Sequence, residues 1–186
     1  MLPFGSEAGF SESGEYRLWL RRSLRKRGRT LFFIGLNPSK ASAFEDDATL
    51  RRLLGFCKSW GYSHLLVMNL FAWISKSPGF LRHCDDPIGK ANDRELSAAA
   101  LTWSECMDWD LWLGWGVGGG LYQRNLAVIA LLESYRRIRE DQFPKATGLM
   151  TIGLTLKGHP RHPLYASSKA VLKPYVWASG RVMSHS

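Results

Sequence analysis

Four short apolar runs, each closed by glycine or a polar residue, constrain this chain more than any other feature. The first is Leu31-Phe32-Phe33-Ile34, ended by Gly35 and Pro38. The second is Leu65-Leu66-Val67-Met68, ended by Asn69. The third lies near Leu111 to Trp115, before Gly116 to Gly120, and the fourth covers Leu149 to Leu154. Unbroken apolar runs of this length mark strands buried on both faces, as in a parallel sheet. Helical periodicity lies between them. Leu50, Leu53, Leu54 and Cys57 repeat at helical spacing, with Asp46 or Asp47 as N-cap and Gly61 as the stop. Asn92 or Asp93 caps a helix through Leu96 and Leu101, and another runs from Asn125 to Arg139. Strands alternating with helices predict an α/β fold: a three-layer α/β/α arrangement around a central, mostly parallel sheet of at least four strands. The expected strands are 31–36, 65–69, 111–115 and 149–154. Tyr16 to Arg27 fits an amphipathic helix or a basic strand, and its periodicity does not choose between them.

With 186 residues, 45 % of them hydrophobic, the chain suits one α/β domain over 16–178. Residues 1–15 are expected to be a flexible lead and 179–186 a flexible tail. No apolar run is long enough for a membrane span, and Met1 to Gly14 does not read as a secretory signal, so a cytoplasmic protein is expected. Cys57, Cys84 and Cys106 lie far apart without a C-x-x-C pair, so they read as structural thiols.

The formal charge is +9 and unevenly spread. Seven Lys or Arg and no acid lie between Arg17 and Arg29, and no Asp or Glu follows Asp141. Such a balance suggests a polyanionic partner, a nucleic acid or a nucleotide, against the plainer reading of a basic soluble protein. Oligomeric state is not encoded in any pattern of this kind.

In parallel sheets ligands bind beyond the carboxyl ends of the strands. The polar clusters fall there: Gly35, Asn37, Pro38 and Ser39 after the first strand, Asn69 after the second, Gly116 after the third, and His159 and His162 after the fourth. Proline stiffens the first turn, and Asn37 presents an amide that both donates and accepts. His159-Pro160-Arg161-His162-Pro163 sets two imidazoles on a stiff basic loop, suited to proton transfer or to bonding a developing anion. No cysteine or carboxylate cluster accompanies the histidines, so neither metal nor cofactor is expected. Gly116 to Gly120 lacks the Gly-Lys-Ser/Thr of a phosphate loop and is expected to be a flexible loop. Most of Trp103, Trp109, Trp112 and Trp115 should be core.

Taken in order, Gly35–Ala41, Asp46–Arg52, Asn69–Ala72, Asp86–Gly89 with Asn92-Asp93, Trp115-Gly116 and Gly158–Tyr165 resemble an uncharacterised family of bacterial and phage proteins, a domain of unknown function. The order of motifs is more remotely similar to the uracil-DNA glycosylase superfamily. That resemblance implies a glycosylase-like fold and cleavage of an N-glycosidic bond. Asn37 would then position the attacking water, His162 would bond the departing base, and Asn69 would read a base edge or fix the first loop. Leu164 and Tyr165 would fall where the superfamily places a DNA-wedging residue, and Phe44 would supply the stacking aromatic. Gly35, Pro38, Ser39, Gly116, His159 and Arg161 complete the expected substrate-binding set. Ser39 stands in place of the usual glycine, Leu164 in place of the usual serine, and the first motif has no acid. Two other expectations stand beside this one: a non-catalytic nucleotide or nucleic-acid binding module, and a small-molecule hydrolase that uses the histidines as acid and base.

Overall fold

A computed structural model describes residues 5–39, 46–75 and 77–176. Seven strands form one sheet in the order β1-β2-β4-β3-β5-β6-β7. They are β1 (Gly5–Phe10), β2 (Arg17–Ser23), β3 (Thr30–Gly35), β4 (His64–Asn69), β5 (Trp109–Leu113), β6 (Leu149–Thr151) and β7 (Lys173–Pro174). The four central strands, β4, β3, β5 and β6, run parallel. Strands β1, β2 and β7 add antiparallel margins. The helices are α1 (Ala48–Trp60), α2 (Asn92–Glu105) and α3 (Arg124–Gln142).

Strand β3 shows why the apolar runs are continuous. Every residue from Thr30 to Gly35 is buried, and alternate side chains serve opposite faces. Phe32 and Ile34 pack with Leu96, Ala100 and Trp103 of α2 and with Val128, Ile129 and Leu132 of α3. Leu31 and Phe33 pack with Leu50, Leu53, Phe56 and Cys57 of α1. Trp103, Trp112 and Trp115 are fully buried, and Trp109 packs against the core's edge.

Several expectations change. Gly5–Phe10, expected within a flexible lead, pairs along its whole length with β2. Nothing in its small, polar sequence marks it, because the partner strand supplies its order. The ambiguous segment after Tyr16 is a strand, for it lies beside β4 with Leu20 opposite Val67. The third strand begins two residues earlier than expected, and the fourth stops at Thr151. Asp47, not Asp46, caps α1: its carboxylate accepts from the Leu50 N–H at 2.6 Å. Neither Asn92 nor Asp93 caps α2. Asn92 is wholly buried and donates to the carbonyls of Asn69 and Leu70, at 3.1 and 3.0 Å. The glycine segment is not an open loop but a kinked 3-10 stretch, Val117–Gln123. The expected tail 179–186 lies outside the described residues, as does Phe44. Among the described residues, no helix is long and apolar enough to cross a membrane.

Candidate functional site

The parallel register sets Gly35 beside Asn69 at the carboxyl ends of β3 and β4. A cavity of about 60 Å³ opens there. Its walls are apolar, from Leu20, Phe33, Leu50, Leu53 and Val67, and its polar groups are Arg17, Asn37, Ser39, Asp47, Thr49, Asn69 and His162. Three residues far apart in sequence, Asn37, Asn69 and His162, therefore share one wall-to-wall space.

Asn69 has the least ordinary environment. It is 4 % exposed, yet its amide nitrogen has no hydrogen-bond partner among the described residues. A buried donor left without a partner costs about 1–3 kcal/mol, and one that faces a cavity is free to meet a ligand or a water there. Gly35 permits this arrangement, because a Cβ there would sit 3.0 Å from Asn69 Oδ1 and from the Phe33 ring. Asn37 is held differently. Its amide donates to the carbonyls of Pro38 (3.2 Å) and Ser75 (3.4 Å), which leaves its oxygen as the acceptor. Pro38 is buried and serves as the anchor of this turn.

His162 caps the short turn Pro163–Tyr165, its Nδ1 accepting from the Leu164 N–H at 3.3 Å. That bond places the proton of the neutral ring on Nε2. Burial pushes the imidazole below its ordinary pKa, against a smaller opposing pull from Asp47. The cleft therefore holds a neutral histidine with one N–H to give.

Two charged residues in the cleft were not among the expected site residues. Asp47 accepts from Ser39 Oγ as well as from the helix N–H, so one carboxylate ties the first loop to α1. Arg17 comes from the antiparallel β2 and is buried, its N–H bonded to the Ala72 carbonyl. Burial lowers its pKa to about 10, with Asp47 opposing the shift, so it stays charged at neutrality. Asp47 carried a signal as a helix cap and as part of the Asp46–Arg52 motif. Arg17 was legible only as one member of the basic Arg17–Arg29 run, since nothing local says that β2 returns to this edge.

The other expected site residues surround the cleft without lining it. Gly116, at φ 69°, donates to the Pro160 carbonyl and braces the histidine loop. His159 lies over Gly120, where a Cβ would come within 3.3 Å of its ring. Arg161 is exposed and donates to the carbonyls of Gly153 and Leu154. Leu164 and Tyr165 are exposed beside His162, with the Tyr165 ring 6.0 Å from the imidazole. Among the described residues, no three His, Cys, Asp or Glu side chains gather to hold a metal ion. The basic run divides: Arg17 reaches the cleft, whereas Arg25, Lys26 and Arg27 follow Ser23, which pairs with His64 at the opposite edge of the sheet.

No curated protein and no solved structure matches the chain. Residues 17–164, from the first strand of the cleft to its histidine turn, match the family described as "Protein of unknown function (DUF1643)". That span is well over half of the sequence, and the chain belongs to this family.

Proposed function

We propose that the cleft recognises a nucleobase and that the protein is a hydrolase of N-glycosidic bonds, with the three-layer arrangement of the uracil-DNA glycosylases. The observation that carries the reading is the unpaired, buried amide of Asn69 in the same small cavity as Asn37 and His162. A planar base with a carbonyl edge offers the acceptor that this amide lacks, between walls that are otherwise apolar.

The chemistry follows from the groups present. Hydrolysis makes a C–O bond at the sugar carbon and breaks its C–N bond, whose electron pair leaves with the base. Asn37 Oδ1 holds the attacking water. Asp47, the carboxylate of the cleft, takes the proton that the water loses. The Nε2–H of His162 and the charge of Arg17 meet the negative charge growing on the base. Preorganised donors of this kind are worth roughly 3–4 kcal/mol at the transition state. A neutral imidazole can serve here, because its N–H donates a hydrogen bond to the anion without handing over the proton.

The far position of Arg25, Lys26 and Arg27 favours a second reading, a small-molecule or nucleotide hydrolase that uses the same groups. The test is a screen on oligonucleotides bearing modified or damaged bases, scored for abasic sites. It is run beside the corresponding free nucleosides, scored for released base. Turnover lost in Asn37→Ala and in His162→Ala supports the mechanism. Full turnover in either variant removes that residue from it.

A further inference from the structure

A second groove lies beside the cleft, and Leu36 lines both. Its volume is about 470 Å³, and its other walls are Pro78, Gly79, Leu81 and Arg82 from one 3-10 turn and Val117, Gly118, Gly120, Leu121 and Tyr122 from the glycine segment. It sits where the connections leaving β3 and β5 diverge to opposite directions in the sheet, the usual place for ligands in parallel sheets.

The groove has a specific chemistry. Tyr122 is 59 % exposed, and Val117 equally so. Arg82 is exposed, and the lining residues include no carboxylate. Tyr122 and Gln123 both hold positive φ, 52° and 53°, a conformation that side chains other than glycine rarely adopt. Gly119 before them is required by packing, since a Cβ there would come within 2.2 Å of the Trp115 ring, and one on Gly118 would displace the end of the Leu36 side chain. The chain thus places an aromatic ring in the open at the cost of local strain, in a groove that also holds exposed Arg82 and one residue away from the first cleft. A third element, the hairpin closed by Leu154 and Pro160, carries fully exposed Leu156 and exposed Lys157, and its His159 lies over Gly120.

We infer that this groove receives the nucleotide next to the one read in the cleft, so that the partner is a single-stranded nucleic acid and not a free nucleotide. One base stacks on Tyr122 while its phosphate meets Arg82. Aromatic faces interleaved with cations, without hydrogen-bond readout, are the common means of holding a single strand. The inference rests on the nucleobase reading of the first cleft.

Two measurements separate the groove from the cleft. The first is the affinity of a short fluorescent single strand at about 50 mM and about 200 mM salt, for the wild type, Tyr122→Ala and Arg82→Gln. The second is the shift of the Asn69 side-chain NMR signals on adding a mononucleoside. Both substituted side chains are exposed, and urea curves are recorded beside the binding to check that the fold is kept. We expect Tyr122→Ala to weaken the strand by about tenfold. Arg82→Gln should make binding less salt-dependent, and the mononucleoside should shift Asn69 equally in wild type and Tyr122→Ala. Strand affinity unchanged in Tyr122→Ala overturns the inference, as does a wild type that binds the strand no more tightly than the mononucleoside. Tyr122-dependent strand binding without any shift at Asn69 supports the groove and sinks the reading of the cleft. A mononucleoside shift without strand binding does the reverse.

Discussion

Replacing Asn69 by leucine should stabilise the empty protein while destroying what the cleft binds. The side chain is 4 % exposed, its amide nitrogen has no partner among the described residues, and Phe33 and Val67 line the same space. Removing an unsatisfied buried donor regains about 1–3 kcal/mol. The cavity of about 60 Å³ is roomy enough for water, which needs roughly 10–15 Å³, and a water at the amide would recover part of that cost. Leucine is close in shape to asparagine but slightly larger, and Gly35 leaves little slack on one side. The net expectation is a gain of about 1 kcal/mol, or a Tm rise of about 2–4 °C for a chain of this size. Urea unfolding without ligand measures the stability, and nucleoside binding by NMR measures the function. Gains in stability with loss of binding would place Asn69 among residues kept for function at the expense of the fold. A loss of 1 kcal/mol or more refutes the reasoning, for it would mean that the amide is a satisfied part of the native structure.

Asp47→Ala should cost about 1 kcal/mol through the lost helix cap, whereas Asp47→Asn keeps a capping oxygen and should cost a few tenths; chemical denaturation compares them. The Asn variant should also lower the proton affinity of His162, which Asp47 raises, as read by an NMR titration. Burial lowers the pKa of both His162 and His159, the latter helped by Lys157, so the unfolded chain takes up protons first as pH falls. Their stabilising contribution is complete above the ordinary imidazole value of about 6.5 and is lost as pH drops through it; urea midpoints that do not fall over that range, or that fall equally in a His159→Gln/His162→Gln protein, contradict this. Arg139 is buried and donates to the carbonyls of Thr147 (2.8 Å), Cys106 (2.9 Å), Met107 (3.3 Å), Trp109 (2.6 Å) and Trp103. Arg139→Leu should therefore destabilise by about 3 kcal/mol or more, since several buried acceptors lose their donor at once; a thermal melt within a few degrees of wild type would show that water replaces the guanidinium.

The central strands were legible because each must be apolar on both faces, a requirement that leaves an unbroken run wherever it holds. The start and stop of α1 were legible for a related reason. Capping by Asp47 and the left-handed turn at Gly61, φ 77°, are local chemistry, settled within a few residues. The same locality placed Asn37 and Asn69 at strand ends and His162 on the stiff loop after the fourth run, and the fold then carried them to one edge of the sheet. What the sequence could not show is what depends on a partner remote in the chain. Strand β1 exists because β2 lies beside it, and β2 is a strand because it pairs with β4. That antiparallel return brings Arg17 into the cleft and sends Lys26 to the far edge, although the two belong to one basic run. Asn92 reads as a helix cap from its neighbours, yet its amide is drawn inward by the carbonyls of Asn69 and Leu70. The glycines after β5 read as freedom, but the Trp115 ring presses so close on Gly119 that only glycine fits there. Whether the Asn69 amide has a partner is decided by which atoms the fold brings near it, and no local pattern records that.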